Sequence, residues 1–407
     1  MAASRPKHAR YCRRLTNMHQ AGSLWESLAF AALLLAAPGW AAQDDPCSSA
    51  STSDVRLTLA VKDGRAVFQK GEIIPLVLSF TSTAKDRYQA DVRNYDRSGR
   101  LGIEYYCVEP EAPDPLASYF KYGSFIGGGL GGTRKLDASP FTAEADLNEW
   151  RSLAPGHYRV YAISYRVWRP PDPGERTPYG RIAVVVRSNV VELDVKPADA
   201  AWQREQIRSA RQVLAGASSP EAVRSAARVL RFLSTKESTR QLARRFSGLN
   251  AEQPGGWDLM FGLFGSPYRK LAIDSMREQI AVPDHPITSE FLNALVNLQV
   301  SADPAWDPPP TDQAQMAAAQ EFRKRRQEHT QALTRAETEA AAAALARKTG
   351  RARALTLNGL LMAGGGDPEL AGKIRPALIA AWPDLPPAAQ PCSPIWAANF
   401  QKSSQAR

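Results

Sequence analysis

Three histidines, His157, His285 and His329, lie in the body of the chain, and each stands alone in sequence. A zinc peptidase sets two histidines and a glutamate on one helical turn as His-Glu-x-x-His. A serine hydrolase exposes its nucleophile on Gly-x-Ser-x-Gly, and a dithiol redox site needs Cys-x-x-Cys. None of these spacings occurs. Carboxylates gather at Glu109-Pro110-Glu111 and at the pair Glu144 and Asp146. Acid–base work needs a buried pair with different proton affinities, which spacing alone does not supply. Gly127, Gly129 and Gly132 form a G-x-G-x-x-G that runs on into Thr133-Arg134-Lys135. Without a following helix to aim amide groups at a phosphate, this stretch reads as a loop. No catalytic residue, cofactor or metal site is assigned.

Two sets of side chains suit binding. Arg224, Arg228 and Arg231 fall at i, i+4 and i+7, a basic stripe that serves either as a solvated face or as a groove for acidic peptides. Trp168 and Arg169 open a proline-stiffened loop with residue types favoured at binding hot spots, although an ordinary strand connection also fits them.

The elements that would position these residues fall into two halves. Residues 1–41 carry Arg5, Lys7, Arg10, Arg13 and Arg14, an apolar run at 28–37 and Ala41, the pattern of a cleaved secretory signal peptide. That run is shorter than the roughly 20 apolar residues a membrane span needs. The leader holds five basic residues against one acid, so the formal charge of +10 falls to +6 without it. A modest positive charge on about 366 residues makes no case for nucleic acid. Of the remaining cysteines, Cys47, Cys107 and Cys392, the first two should lie in or beside one domain, and export permits a disulfide between them.

Past a flexible stretch at 42–54, residues 55–197 show short alternating or β-branched runs. Strands are expected at 55–61, 66–68, 73–80, 102–108, 158–168 and 181–195, which argues for an antiparallel β-sandwich. Residues 200–383 have helical periodicity instead. Ser219-Pro220 opens a helix with Ala226, Val229 and Leu233 on its apolar face, and 47 positions later Ser266-Pro267 introduces Ile273, Met276 and Ile280 in the same register. Residues 201–216, 255–265, 291–298, 355–362 and 368–382 supply further helices. A long alanine-rich helix at 311–348 has almost no apolar face in its middle, so it should project into solvent or be partly disordered. The tail at 384–407 reads as loosely ordered.

Leu153-Ala154-Pro155-Gly156-His157-Tyr158 and Ser188-Asn189-Val190-Val191-Glu192-Leu193 resemble the late strands of bacterial immunoglobulin-like domains. The paired Ser-Pro starts and Pro283-Asp284-His285-Pro286 resemble HEAT-like repeats. Together they are similar to the last two domains of the large zinc aminopeptidases, without the preceding domain that carries that family's chemistry. The resemblance implies an Ig-like β-sandwich followed by an α-α superhelix, and no activity. The reading is an exported, non-enzymatic binding or scaffold protein that presents its helical surface to a protein or peptide partner in the cell envelope, periplasmic or secreted. Its oligomeric state stays open. The alternatives are an envelope-polymer hydrolase with carboxylates between the two domains, and a carbohydrate-binding protein. Two clustered acids in a deep pocket would favour the hydrolase; Tyr165 and Trp168 coplanar on an exposed face would favour sugar binding.

Overall fold

A computed structural model describes residues 47, 54–94, 100–122, 131–177, 180–216, 218–249, 253–307, 316–363, 368–381 and 384. The leader, Gly127 and Gly129, Cys392 and the tail from residue 385 onward lie outside the described residues.

Alternation builds the first half. Strand β1, Val55–Val61, turns Val55, Leu57 and Leu59 inward, and β3, Pro75–Ser82, turns in Leu76, Leu78 and Phe80. With β7, Phe141–Asp146, they make an antiparallel sheet in the order β1-β3-β7. The second sheet is organised on the 14-residue strand β8, Gly156–Arg169. One edge of β8 pairs with β5, Glu104–Glu109, and then β4, Gln89–Asp91. Its other edge pairs with β10, Val191–Lys196, and then β9, Ile182–Arg187. Strands β2, Val67–Gln69, and β6, Thr133–Lys135, complete the outer positions beside β10 and β4. The inner faces of both sheets share one apolar core. A smaller cluster on Cys107, Tyr161 and Ile163 lies against Cys47, and Cys47 and Cys107 are joined by a disulfide with Cα atoms 5.9 Å apart.

The sheets are not purely antiparallel. Strand β2 runs parallel to β10, because the chain crosses from β1 to the other sheet and ends beside the start of the helices, where Gln69 accepts from the Asp199 amide. The single run expected at 181–195 is also split. Ser188 bonds Ala162, while the Asn189 side chain both accepts from and donates to the Leu59 backbone, so this pair stitches the two sheets together. Strands β4, β6 and β7 and a short helix α1, Ala117–Tyr122, were not anticipated.

Nine helices follow among the described residues: α2 Ala200–Ala215, α3 Pro220–Leu233, α4 Lys236–Arg245, α5 Gly256–Gly265, α6 Arg269–Ile280, α7 Ser289–Ala302, α8 Met316–Ala344, α9 Gly350–Ala363 and α10 Pro368–Ala380. Side-chain oxygens satisfy orphan amides at several starts. Asp199 accepts from Trp202, Ser219 from Ala222 and Thr288 from Phe291, while Thr235 and Ser238 cap α4 reciprocally. The second Ser-Pro is not such a start. Ser266 closes α5, its buried hydroxyl engages Thr239 at 2.7 Å, and α6 begins only at Arg269. The apolar register survives, since Met276 and Ile280 are buried and Ile273 packs beside them.

The helices pack in chain order. Helix α3 lies against α2, α4 and α5, α4 against α6, α6 against α7, and α7 against α8 and α9, with α10 resting on α9. One continuous core runs from Ile207 to Leu378. Helix α8 runs continuously along 316–344, and its C-terminal part is anchored, because Thr338 and Ala341 are buried and Glu337 takes two bonds from Arg277. The two halves meet through α1, whose Tyr119 ring sits edge-on to Phe261 and Phe264 of α5, and whose neighbour Leu116 belongs to the helical core.

Candidate functional site

Strand β7 ends at Asp146 and turns through a single 3-10 turn, Leu147–Glu149, anchored by the fully buried Leu147. This turn sets Asp146, Glu149 and Trp150 at the rim of the sheets, facing α3. Arg228 forms an ion pair with Asp146 and stands 3.5 Å from Glu149, so one guanidinium gathers two carboxylates. One turn further along α3, Arg231 bonds Asp258 of α5 at 2.9 Å and approaches Glu149 at 3.7 Å. Its guanidinium also lies over Phe232 and Phe261. Arg100 completes the rim, fixed by both oxygens of Asp114 and stacked on Trp150 at 3.7 Å.

Behind this rim the second sheet contributes a buried ion pair. Arg166 of β8 donates from Nε and Nη2 to Glu104 of β5 at 2.6 and 2.9 Å, and from Nη1 to the Asp91 and Arg93 carbonyls. Ser164 adds a bond to Glu104 at 3.1 Å. A bidentate pair with its remaining donors filled is the form in which such charges survive burial.

Between rim and sheet lies a polar chamber of about 230 Å³. Exposed Asn94 and Glu144 mark its mouth, while buried Glu104, Tyr106, Asp146 and Arg166 line its floor. Tyr106 and Trp150 form an aromatic wall with ring centroids 5.5 Å apart. Burial pushes the Tyr106 phenol well above its ordinary range, and the Glu104 charge adds to the shift. Burial also raises the Glu149 carboxyl, against the pull of Arg231. Burial lowers Arg228. The chamber is therefore mixed in charge, with three arginines and four carboxylates along its walls.

The residues singled out from sequence are distributed as follows. Arg224 is exposed, whereas Arg228 is half-buried and Arg231 buried, both turned onto the acids of the sheet half and α5. The stripe is thus divided between solvent and the junction. Trp168 is half-buried on β8, and Arg169 is held by Glu175 through two bonds. Tyr165 is exposed and packs edge-on to Tyr105. His157 meets Asp194 at the surface, His285 is buried against Phe291, and His329 stacks on Trp306. Gly132 leads directly into β6, a strand and not a helix. Among the described residues no group of His, Cys, Asp or Glu offers three ligands to a metal, and no helix is long and apolar enough to cross a membrane.

Sequence reasoning found Asp146 and Glu144 only as a generic pair and missed Arg100, Glu104, Tyr106, Glu149, Trp150 and Arg166. A signal for two of them was present: Arg166 interrupts the apolar run of β8 and Glu104 that of β5, and opposite charges inside buried strands mark partners. No family model matches this chain, and neither the curated proteins nor the solved structures yield a match.

Proposed function

We propose that the chain is an exported, non-enzymatic binding protein in which an Ig-like module is fixed to a HEAT-like α-solenoid that presents its surface to a protein or peptide partner of the cell envelope. The observation that carries this reading is the packing order. Each helix rests on near neighbours in sequence, as in stacked repeats, and such stacks offer an elongated face to partners. Arg228 fastens the array to the sheets through Asp146 and Glu149, with Arg231 close to Glu149 beside it, so the outward positions Arg224, Arg240 and Arg244 are held in one frame. The acids of the chamber also favour binding over hydrolysis. Glu104 is matched to Arg166, Asp146 to Arg228 and Glu144 to Lys62, which leaves no free carboxylate pair.

The test is photo-crosslinking of the full chain in intact cells from Arg224 and Arg240, with exposed Thr142 on the sheet face as control. The reading expects the same partner band from both helical positions and none from the control. Equal or absent bands at all three sites would overturn it.

A second reading, a hydrolase acting on envelope polymers, is favoured by one observation: Asp146 and Glu149 share Arg228 at the junction, and burial raises Glu149. It expects Glu149→Gln to abolish turnover of a chromogenic polymer fragment. Absence of turnover by the parent protein decides against it.

A further inference from the structure

We propose that the junction chamber binds a neutral polyhydroxylated ligand, a single sugar ring or sugar alcohol, through the Tyr106 hydroxyl and the Glu149 carboxylate. This site is separate from the helical face that meets a protein partner, so either can fail while the other stands.

The inference rests on what the chamber leaves unmet. The Tyr106 side chain is 2% exposed and its ring lines the chamber, yet its hydroxyl meets no hydrogen-bond partner among the described residues. That hydroxyl is not sealed among protein atoms, so it opens into the chamber, where a ligand hydroxyl can take the place of water. The Arg228 Nε also meets no acceptor, but it is sealed from the chamber. Glu149 receives no hydrogen bond there, and its nearest cationic nitrogens stand at 3.5 and 3.7 Å, too far for a good one. The groups left for a ligand are thus one hydroxyl that donates and accepts and one carboxylate that accepts, beside a space far larger than the roughly 10–15 Å³ that a single water requires.

Charge selects the ligand class. Arg100, Arg166 and Arg228 are each matched by a carboxylate, so a free anion would displace an existing partner, and the same holds for a cation at Glu104, Asp146 or Glu144. A neutral molecule whose hydroxyls both donate and accept satisfies the leftover groups without disturbing those pairs. The apolar C–H face of a sugar ring suits a wall made by Tyr106 and Trp150.

The experiment is isothermal titration and thermal unfolding of the full chain with glucose, N-acetylglucosamine and myo-inositol, each up to about 50 mM, beside inorganic phosphate. Tyr106→Phe removes the hydroxyl and nothing else. Its expected behaviour is a Tm without ligand equal to or above the parent's, together with a three- to tenfold weaker affinity for whichever polyol binds. Binding of none of the three, tighter binding of phosphate than of any polyol, or an unchanged affinity in Tyr106→Phe overturns the proposal. So does a lower Tm of the free variant, which would show that the hydroxyl already has a protein partner.

Discussion

Replacing Arg231 by Met tests a buried charge at the junction, paired with Asp258 of α5 and close to Glu149 of the sheet half. The Arg231 side chain is 8% exposed, Asp258 is 15% exposed at 2.9 Å, and Glu149 stands at 3.7 Å. Methionine keeps most of the volume packed on Phe232 and Phe261, so the main loss is the positive charge opposite two partly buried carboxylates. Breaking a fully buried pair by removing one partner costs roughly 3–5 kcal/mol. Some water reaches Asp258, which places the expected loss at the lower end, about 3 kcal/mol. At 2–4 °C per kcal/mol for a unit of this size, Tm should fall by about 6–12 °C. Urea denaturation at neutral pH with the double variant Arg231→Met/Asp258→Leu completes the assay. Removing both charges should restore more than half of the loss, since the stranded carboxylate is what destabilises the single variant. A single-variant loss below about 0.5 kcal/mol, the value of an exposed pair, refutes the reasoning. So does a double variant weaker than either single one.

Three further outcomes follow from other parts of the fold. Gly71 has φ of +86°, and a Cβ there would stand 3.0 Å from Leu233 Cα and Phe232 O at the end of α3, so Gly71→Ala should destabilise by about 2 kcal/mol, read from the urea midpoint. His285 is held near pKa 4, below its ordinary 6.5, chiefly by burial and then by Lys348. Because the folded value is depressed, its protonation favours unfolding: stability is unaffected above about pH 6.5 and declines as pH falls toward 4, by up to about 3 kcal/mol. The stability difference between parent and His285→Leu should therefore change over that window and stay constant above pH 7; a flat difference contradicts the assignment. Reducing the Cys47–Cys107 bond releases a 60-residue separation and should cost about 2–4 kcal/mol, measured as the Tm difference between the parent in oxidant and Cys107→Ser.

How much of this was legible in the sequence depends on the length scale of the cause. The β-then-α layout follows from local periodicity: Val55, Leu57 and Leu59 alternate, while Ala226, Leu230 and Leu233 recur at helical spacing, and both patterns end up in cores. Strands β4 and β6 escaped because three residues carry no period, and their pairing comes from β8 and from each other. Ser266 misled because its hydroxyl, held by Thr239, accepts from the Tyr268 amide in a local turn and the helix begins only at Arg269. The chamber was hidden for a similar reason. Arg166 and Glu104 are 62 residues apart, and only the β5–β8 register, with Glu104 opposite Ser164, makes them neighbours. The arginine stripe on α3 was visible, but its target was not, since Asp146 and Glu149 reach it only through the turn that closes β7.

The claim on which the account depends is that the sheets and the stacked helices behave as one body, joined at α1 and at the arginines of α3. Native-state hydrogen exchange in rising urea measures this directly, by comparing amides of β3 and β8 with those of α6 and α7. The best-protected amides in all four elements should open with the same free energy and denaturant dependence, and Arg228→Met should separate them. If the helices of the parent already open at a lower free energy than the sheets, the two halves are independent and the account is contradicted.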